Sequence, residues 1–180
     1  MTAPATSRPF EPSETPLTLL FPDIEAEFRT TKRMLERVPD GQDDWRPHEK
    51  SMTLGKLATH LAQLPGFGIA MLAKEEFDGA TRPPDPVFSL GADRVKMFDE
   101  LSAQVRGLLQ RLTWEDTKVV WKLKFQDRVV LEAPRAQMFR SAMITHMAHH
   151  RAQLGVYLRM LGVPIPSSYG PSADEGLAPR

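Results

Sequence analysis

The sequence predicts an all-α protein, an up-down four-helix bundle with a short β-hairpin inserted before the last helix. Three observations predict it. Four segments repeat apolar residues every three or four positions, which gives each a single helical stripe. One short segment, residues 119–131, instead alternates apolar and charged side chains with the period of a strand. Proline- and glycine-bearing breaks separate these segments. At 180 residues the chain has the length of one domain with one core.

Residues 1–15, with Pro4, Pro9 and Pro12 and few apolar side chains, read as an extended arm. The bundle is expected over 16–165 and a tail over 166–180. The first helix carries Leu17, Leu20, Phe21, Ile24, Phe28, Thr31, Met34, Leu35 and Val38 on one stripe, starts near residue 18 because of Pro22, and ends at Pro39 and Gly41. Ser51 or Thr53 caps the second, whose stripe is Leu57, His60, Leu64, Phe67 and Met71, with Pro65 and Gly66 bending it. Residues 78–86 are a loop. Ser89 caps a third helix with Val95, Phe98, Leu101, Val105, Leu108 and Leu112 inward. Trp121, Leu123 and Phe125 alternate with Lys122 and Lys124, the solvated face of the hairpin, before a turn at 126–128. Pro134 then opens a fourth helix that runs to Leu161, with Gly162 as a left-handed cap and Pro164 beyond.

Composition narrows the function. Lys plus Arg and Asp plus Glu are both 23, so no global positive field exists to collect phosphates, and nucleic-acid binding is disfavoured. The apolar stretches are too short or too interrupted to span a bilayer, and the N-terminus lacks the apolar core of a secretory signal, so a cytoplasmic protein without membrane association is expected. The absence of cysteine excludes disulfides, thiolate ligands and a cysteine nucleophile. Chemistry here falls to histidine, carboxylates or hydroxyls.

His146 and His150 are four residues apart, hence one turn apart on one helical face, together with Phe139, Met143, Gln153 and Tyr157. Both imidazoles therefore look inward, and a buried ring without a partner costs about 1 to 3 kcal/mol. His60 interrupts the inward stripe of the second helix. Three neutral imidazoles on one divalent ion would satisfy every ring and leave a coordination position open, as in catalytic sites. The same pattern arises from three core histidines bonded to carbonyls, and spacing does not separate the two. No HExxH is present to supply a glutamate base. Met71, Met143 and Met147 read as packing, His48 as loop packing beside Trp45, and Arg151 as the partner of a carboxylate on a neighbouring helix.

Residues 45–67 and 146–175 resemble the DinB/YfiT-like superfamily of metalloenzymes. The resemblance rests on Trp45, His60, His146, His150, Arg151, Gln153 and Leu154, and extends over about residues 15–175. It implies a homodimeric four-helix bundle with a divalent ion on His60, His146 and His150, nickel or zinc first, iron or manganese as alternatives. It further implies activation of water or a low-molecular-weight thiol against a small-molecule substrate, as hydrolase or thiol S-transferase. A non-catalytic metal- or ligand-binding bundle of the stress response is the competing expectation. His149, about 60° from the arc of the triad, is either an acid/base, or a donor that orients a group held by the ion, or a partly exposed neighbour.

Overall fold

A computed structural model describes residues 14–176, so all but the last two positions of the expected arm lie outside the described residues. The first stripe forms two helices. Thr15 caps α1 (Pro16–Leu20) in a reciprocal box with Thr18, and Pro16 takes the first helical position, where its missing N–H is harmless. The chain turns at Pro22 and resumes as α2 (Ile24–Leu35). The single helix expected to reach Val38 is thus split at its proline and ends earlier. The stripe survives the break because Phe21, Ile24, Phe28 and Val38 all enter the same core.

Thr53 caps α3 (Leu54–Ala73), its hydroxyl accepting from Lys56 N–H at 3.3 Å. The helix runs through Pro65 without a break. The loop expected over 78–86 is only partly a loop. Glu76–Asp78 forms β1, and Gly79–Thr81 a single 3₁₀ turn. The expected Ser89 cap is also replaced. Leu90 occupies the N-cap of α4 (Gly91–Leu109), and the donor at Gly91 is satisfied by Asp40 Oδ1 at 2.7 Å, from the far side of the connection after α2. A short helix α5 (Trp114–Lys118), boxed by Thr113 and Asp116, leads into the sheet.

The hairpin is present but belongs to a three-stranded sheet. β2 (Val120–Phe125) pairs antiparallel with β3 (Arg128–Pro134), and β1 adds to the other edge of β2 in parallel. Trp121 is fully buried beneath it. Lys124 is not simply solvated, since it pairs with Glu76 across the β1–β2 ladder at 2.6 Å. Pro134 ends β3 and serves as N-cap rather than as first-turn residue of the last helix.

That helix is continuous but not uniform: α6 (Arg135–Phe139) passes into a π segment (Arg140–Thr145) and then α7 (His146–Met160). It closes as expected. Gly162 adopts φ +71°, and the bonds Val163 N–H to Leu158 C=O and Gly162 N–H to Arg159 C=O form a Schellman cap.

The molecule is a mostly helical four-helix bundle of α2, α3, α4 and α6–α7, with the small sheet inserted before the final helix. α3 packs on α4 and α7, and α2 packs on the same two helices, so α2 and α3 sit at opposite corners. The long connection 36–53 makes that diagonal possible. Residues 166–176 fold back on the bundle, with Glu175 taken by Arg33 and Arg37 and Asp174 by Arg159. Among the described residues no helix is long and apolar enough to cross a membrane.

Candidate metal centre

His60 stands near the middle of α3, and His146 and His150 occupy the first turns of α7. Two features set how closely these helices approach. Gly68 lies two turns beyond His60, and a Cβ there would come within 3.1 Å of both Met143 and Phe139, so only the bare backbone lets α3 press against the last helix. The π segment directly before His146 then decides which way α7 presents its face, because each wide turn holds about one extra residue. The 3.6-residue spacing that motivates the pair holds only from His146 onward.

One nitrogen from each of His60, His146 and His150 lies within 4.8 Å of the others. The Nε2 atoms of His146 and His150 approach to 2.8 Å. The His60 ring meets His150 edge-on at 4.5 Å between centroids and His146 at 5.3 Å. Around a tetrahedral ion with metal–nitrogen bonds near 2.05 Å, ligand nitrogens are about 3.3 Å apart. The observed 2.8 to 4.8 Å brackets that value, so small ring movements suffice.

Surrounding groups orient the rings. His150 Nδ1 lies 2.7 Å from Gln153 Oε1; an amide oxygen only accepts, so Nδ1 carries the hydrogen and the lone pair of Nε2 faces the cluster. The backbone at Ala142, inside the π segment, hydrogen-bonds the His146 ring. The sequence places Gln153 on the face of His146 and His150 and within the resemblance, but its role as the tautomer-setting partner of His150 is a finding of the structure. Trp45 packs edge-on against Tyr157 at 5.5 Å, and the Tyr157 hydroxyl donates to the Met52 carbonyl, which anchors the connection before α3.

All three rings are held below the usual histidine range. Burial, then the neighbouring charges of His150 and His146, push His60 down to about 4. Burial does the same for His146 and His150, opposed by the Ala142 and Gln153 bonds respectively. At neutral pH the three are therefore uncharged donors, the form a metal ion requires. Folded values below the unfolded 6.5 mean that folding favours the neutral ring. That stabilisation is complete above pH 6.5 and is lost as pH falls toward 4. The melting temperature of chelator-treated protein is expected to drop across this window, and less so in His60→Gln; identical profiles for the two contradict a buried neutral His60.

The cluster opens into a cleft of about 560 Å³, lined by His60 and His146 and walled by α3, α4, β1, β2 and the turn after β1. His149 is exposed and lies outside the three-nitrogen cluster, its ring 4.8 Å from that of His150. His48 lies outside the three-nitrogen cluster and is exposed instead of packed in its loop, its Nδ1 accepting from Lys50 N–H. Met71, Met143 and Met147 are fully buried packing residues. Arg151 pairs with Glu27 on α2 at 2.7 Å, as a carboxylate partner on a neighbouring helix was expected to do.

The model of the DinB family matches residues 14–179. The chain belongs to the DinB family. Its sequence is 22% identical over 153 residues to the uncharacterized protein YrdA of Bacillus subtilis strain 168, covering 84% of this chain and 86% of YrdA. The fold is that of the crystal structure of the DinB-like protein YjoA from Bacillus subtilis, with a TM-score of 0.64, 17% identity and coverage of 83% of this chain and 96% of that one. YfiT from Bacillus subtilis matches with a TM-score of 0.59 and 17% identity, over 85% of this chain and 94% of its own. YfiT is described as a probable metal-dependent hydrolase with an unusual four-helix bundle topology. This DinB family chain carries a three-histidine group whose ring nitrogens lie close enough together that they could hold a metal ion.

Proposed function

We propose that this DinB family protein is a divalent-metal-dependent enzyme acting on a small molecule, as a hydrolase or as a transferase of a low-molecular-weight thiol. One observation carries the reading: three neutral imidazole nitrogens converge at the end of an apolar cleft. A structural site closes its coordination shell with protein ligands, whereas three ligands beside a cleft leave room for a reactant. Imidazole donors suit nickel or zinc, with iron or manganese as alternatives. A divalent ion bound there lowers the pKa of water or of a thiol, so that a nucleophile exists near neutral pH.

The chain's own residues do the rest. His60, His146 and His150 remain uncharged at pH 7 and keep their lone pairs available. Gln153 fixes the tautomer of His150. Phe67, Phe77 and Leu123 give the cleft an apolar wall. No acidic side chain lines it, so a proton released there would pass to solvent or to His149, which stands outside the lining with its ring 4.8 Å from that of His150. His149→Ala distinguishes these: turnover reduced about 100-fold at unchanged metal content assigns the proton to His149, and unchanged turnover assigns it to solvent.

The test is to incubate metal-loaded protein with a panel of electrophiles, with and without small thiols. Turnover that requires thiol identifies the transferase, and turnover without it the hydrolase. Tight retention of a compound with no turnover in either arm replaces the enzyme by a binding bundle. The homodimer belongs to the same proposal on family resemblance, and a single-chain mass by light scattering across micromolar concentrations removes it.

A further inference from the structure

The cleft beside the histidines is chemically lopsided. Phe67, Phe77, Met97, Leu101 and Leu123 make it apolar, and its lining holds one permanent charge, the Arg82 guanidinium, with no acidic group. Arg82 follows the turn that β1 leads into, so the small sheet sets its place. Its Nη2 donates to Gln63 Oε1 at 3.0 Å. Gln63 stands three residues after His60 on α3, which makes the guanidinium and the nearest imidazole neighbours along one helix face.

The other partner of Arg82 is Asp85, in the same exposed loop. The two side chains are 43% and 51% exposed, and pairs of that kind are held weakly in water, so a second carboxylate can take the place of Asp85. A guanidinium presents two parallel N–H groups that match a planar carboxylate, and the Gln63 amide can supply a further donor. Away from the histidines the lining offers no second permanent cation for a dianion.

We propose that Arg82 and Gln63 form a carboxylate-binding subsite, and that the substrate is a monocarboxylic acid with an apolar body whose reacting group lies within a few bonds of the carboxylate. The apolar body fills the cleft against Phe67, Phe77 and Leu123, while the single turn between Gln63 and His60 sets the short separation. The assignment of a reacting group rests on the metal-enzyme reading above; the subsite itself does not.

The probes are 3-phenylpropanoate and 3-phenylpropanamide, titrated calorimetrically into zinc-loaded and chelator-treated full-length protein and into Arg82→Gln. The acid is expected to bind at least tenfold more tightly than the amide in both metal states. Arg82→Gln is expected to abolish that preference with melting temperature and zinc content unchanged. A preference that survives Arg82→Gln and vanishes on chelation puts the carboxylate on the ion, which overturns the subsite and upholds the metal site. Equal binding of acid and amide to the parent, or binding of neither, also overturns the subsite. A preference lost only in Arg82→Gln, in a parent that takes up no zinc, upholds the subsite and removes the metal reading.

Discussion

His146→Ala is expected to weaken divalent-metal binding by more than about 100-fold while leaving the helical content of the protein unchanged. Loss of an outer partner of a ligand costs about 10- to 100-fold in metal affinity, and loss of a ligand itself exceeds that. His146 is the best of the three for this purpose because it is half-buried beside an open cleft, so its removal enlarges that space instead of leaving a sealed core cavity. Gln153→Ala provides the graded comparison. It frees His150 Nδ1 from its 2.7 Å partner without touching a ligand nitrogen, and the expected loss is about 10- to 100-fold. Competition titration with a chromogenic chelator reads both. Equal affinities in parent and His146→Ala contradict the site.

Arg151→Ala is expected to produce a large loss of stability, about 3 to 5 kcal/mol, read by chemical denaturation of metal-free protein. Arg151 is 1% exposed, and its Nη1 donates to Glu27 Oε2, to the Glu27 carbonyl and to Thr31 Oγ1. Glu27 is itself buried, and Tyr169 from the returning tail donates to the same carboxylate at 3.1 Å. Removing the guanidinium leaves that carboxylate in the core with a phenol and a threonine nearby but no positive charge. The desolvation cost paid for both groups is then no longer offset by their attraction. Replacing both partners, Glu27→Gln with Arg151→Met, is expected to recover most of the loss, because a neutral pair of similar volume carries no buried charge. A single-variant loss below about 1 kcal/mol would place the pair among solvated surface bridges. Since Arg151 follows His150 directly, the pair also fixes the rotation of α7 against α2, on the side of the helix away from the cleft.

The bundle is legible in the sequence because each long helix has one stripe facing one core, and burial enforces that stripe. Phe28, Leu57, Phe98, Val105, Phe139 and Met143 show it directly. The stripe hides breaks as well as revealing helices. Phe21 and Ile24 keep their spacing across the turn at Pro22, so periodicity reads one helix where the missing proline N–H makes two. Strand β1 is too short for a two-residue period to register, and its three residues contain one apolar side chain, Phe77. The cap of α4 comes from Asp40, remote in sequence, which no local signal announces.

The site divides in the same way. His146 and His150 are legible because they share an uninterrupted α-helical turn, and His60 because it interrupts an apolar stripe. The π segment just upstream leaves no mark in composition, yet it orients the pair. Arg82 is illegible for a different reason. It lies in a stretch read as loop, and only the pairing of β1 with β2 and the contact with Gln63 bring it to the cleft.

The central claim is that the nitrogens of His60, His146 and His150 hold one divalent ion and leave it accessible from the cleft. X-ray absorption at the zinc edge, on full-length protein loaded with one equivalent of zinc, measures this most directly. The expected spectrum shows three imidazole nitrogens at about 2.0 to 2.1 Å and one exchangeable oxygen scatterer, and the imidazole signature weakens in His60→Ala. A first shell composed of carboxylate oxygens, or a spectrum identical in the parent and in His60→Ala, contradicts the account.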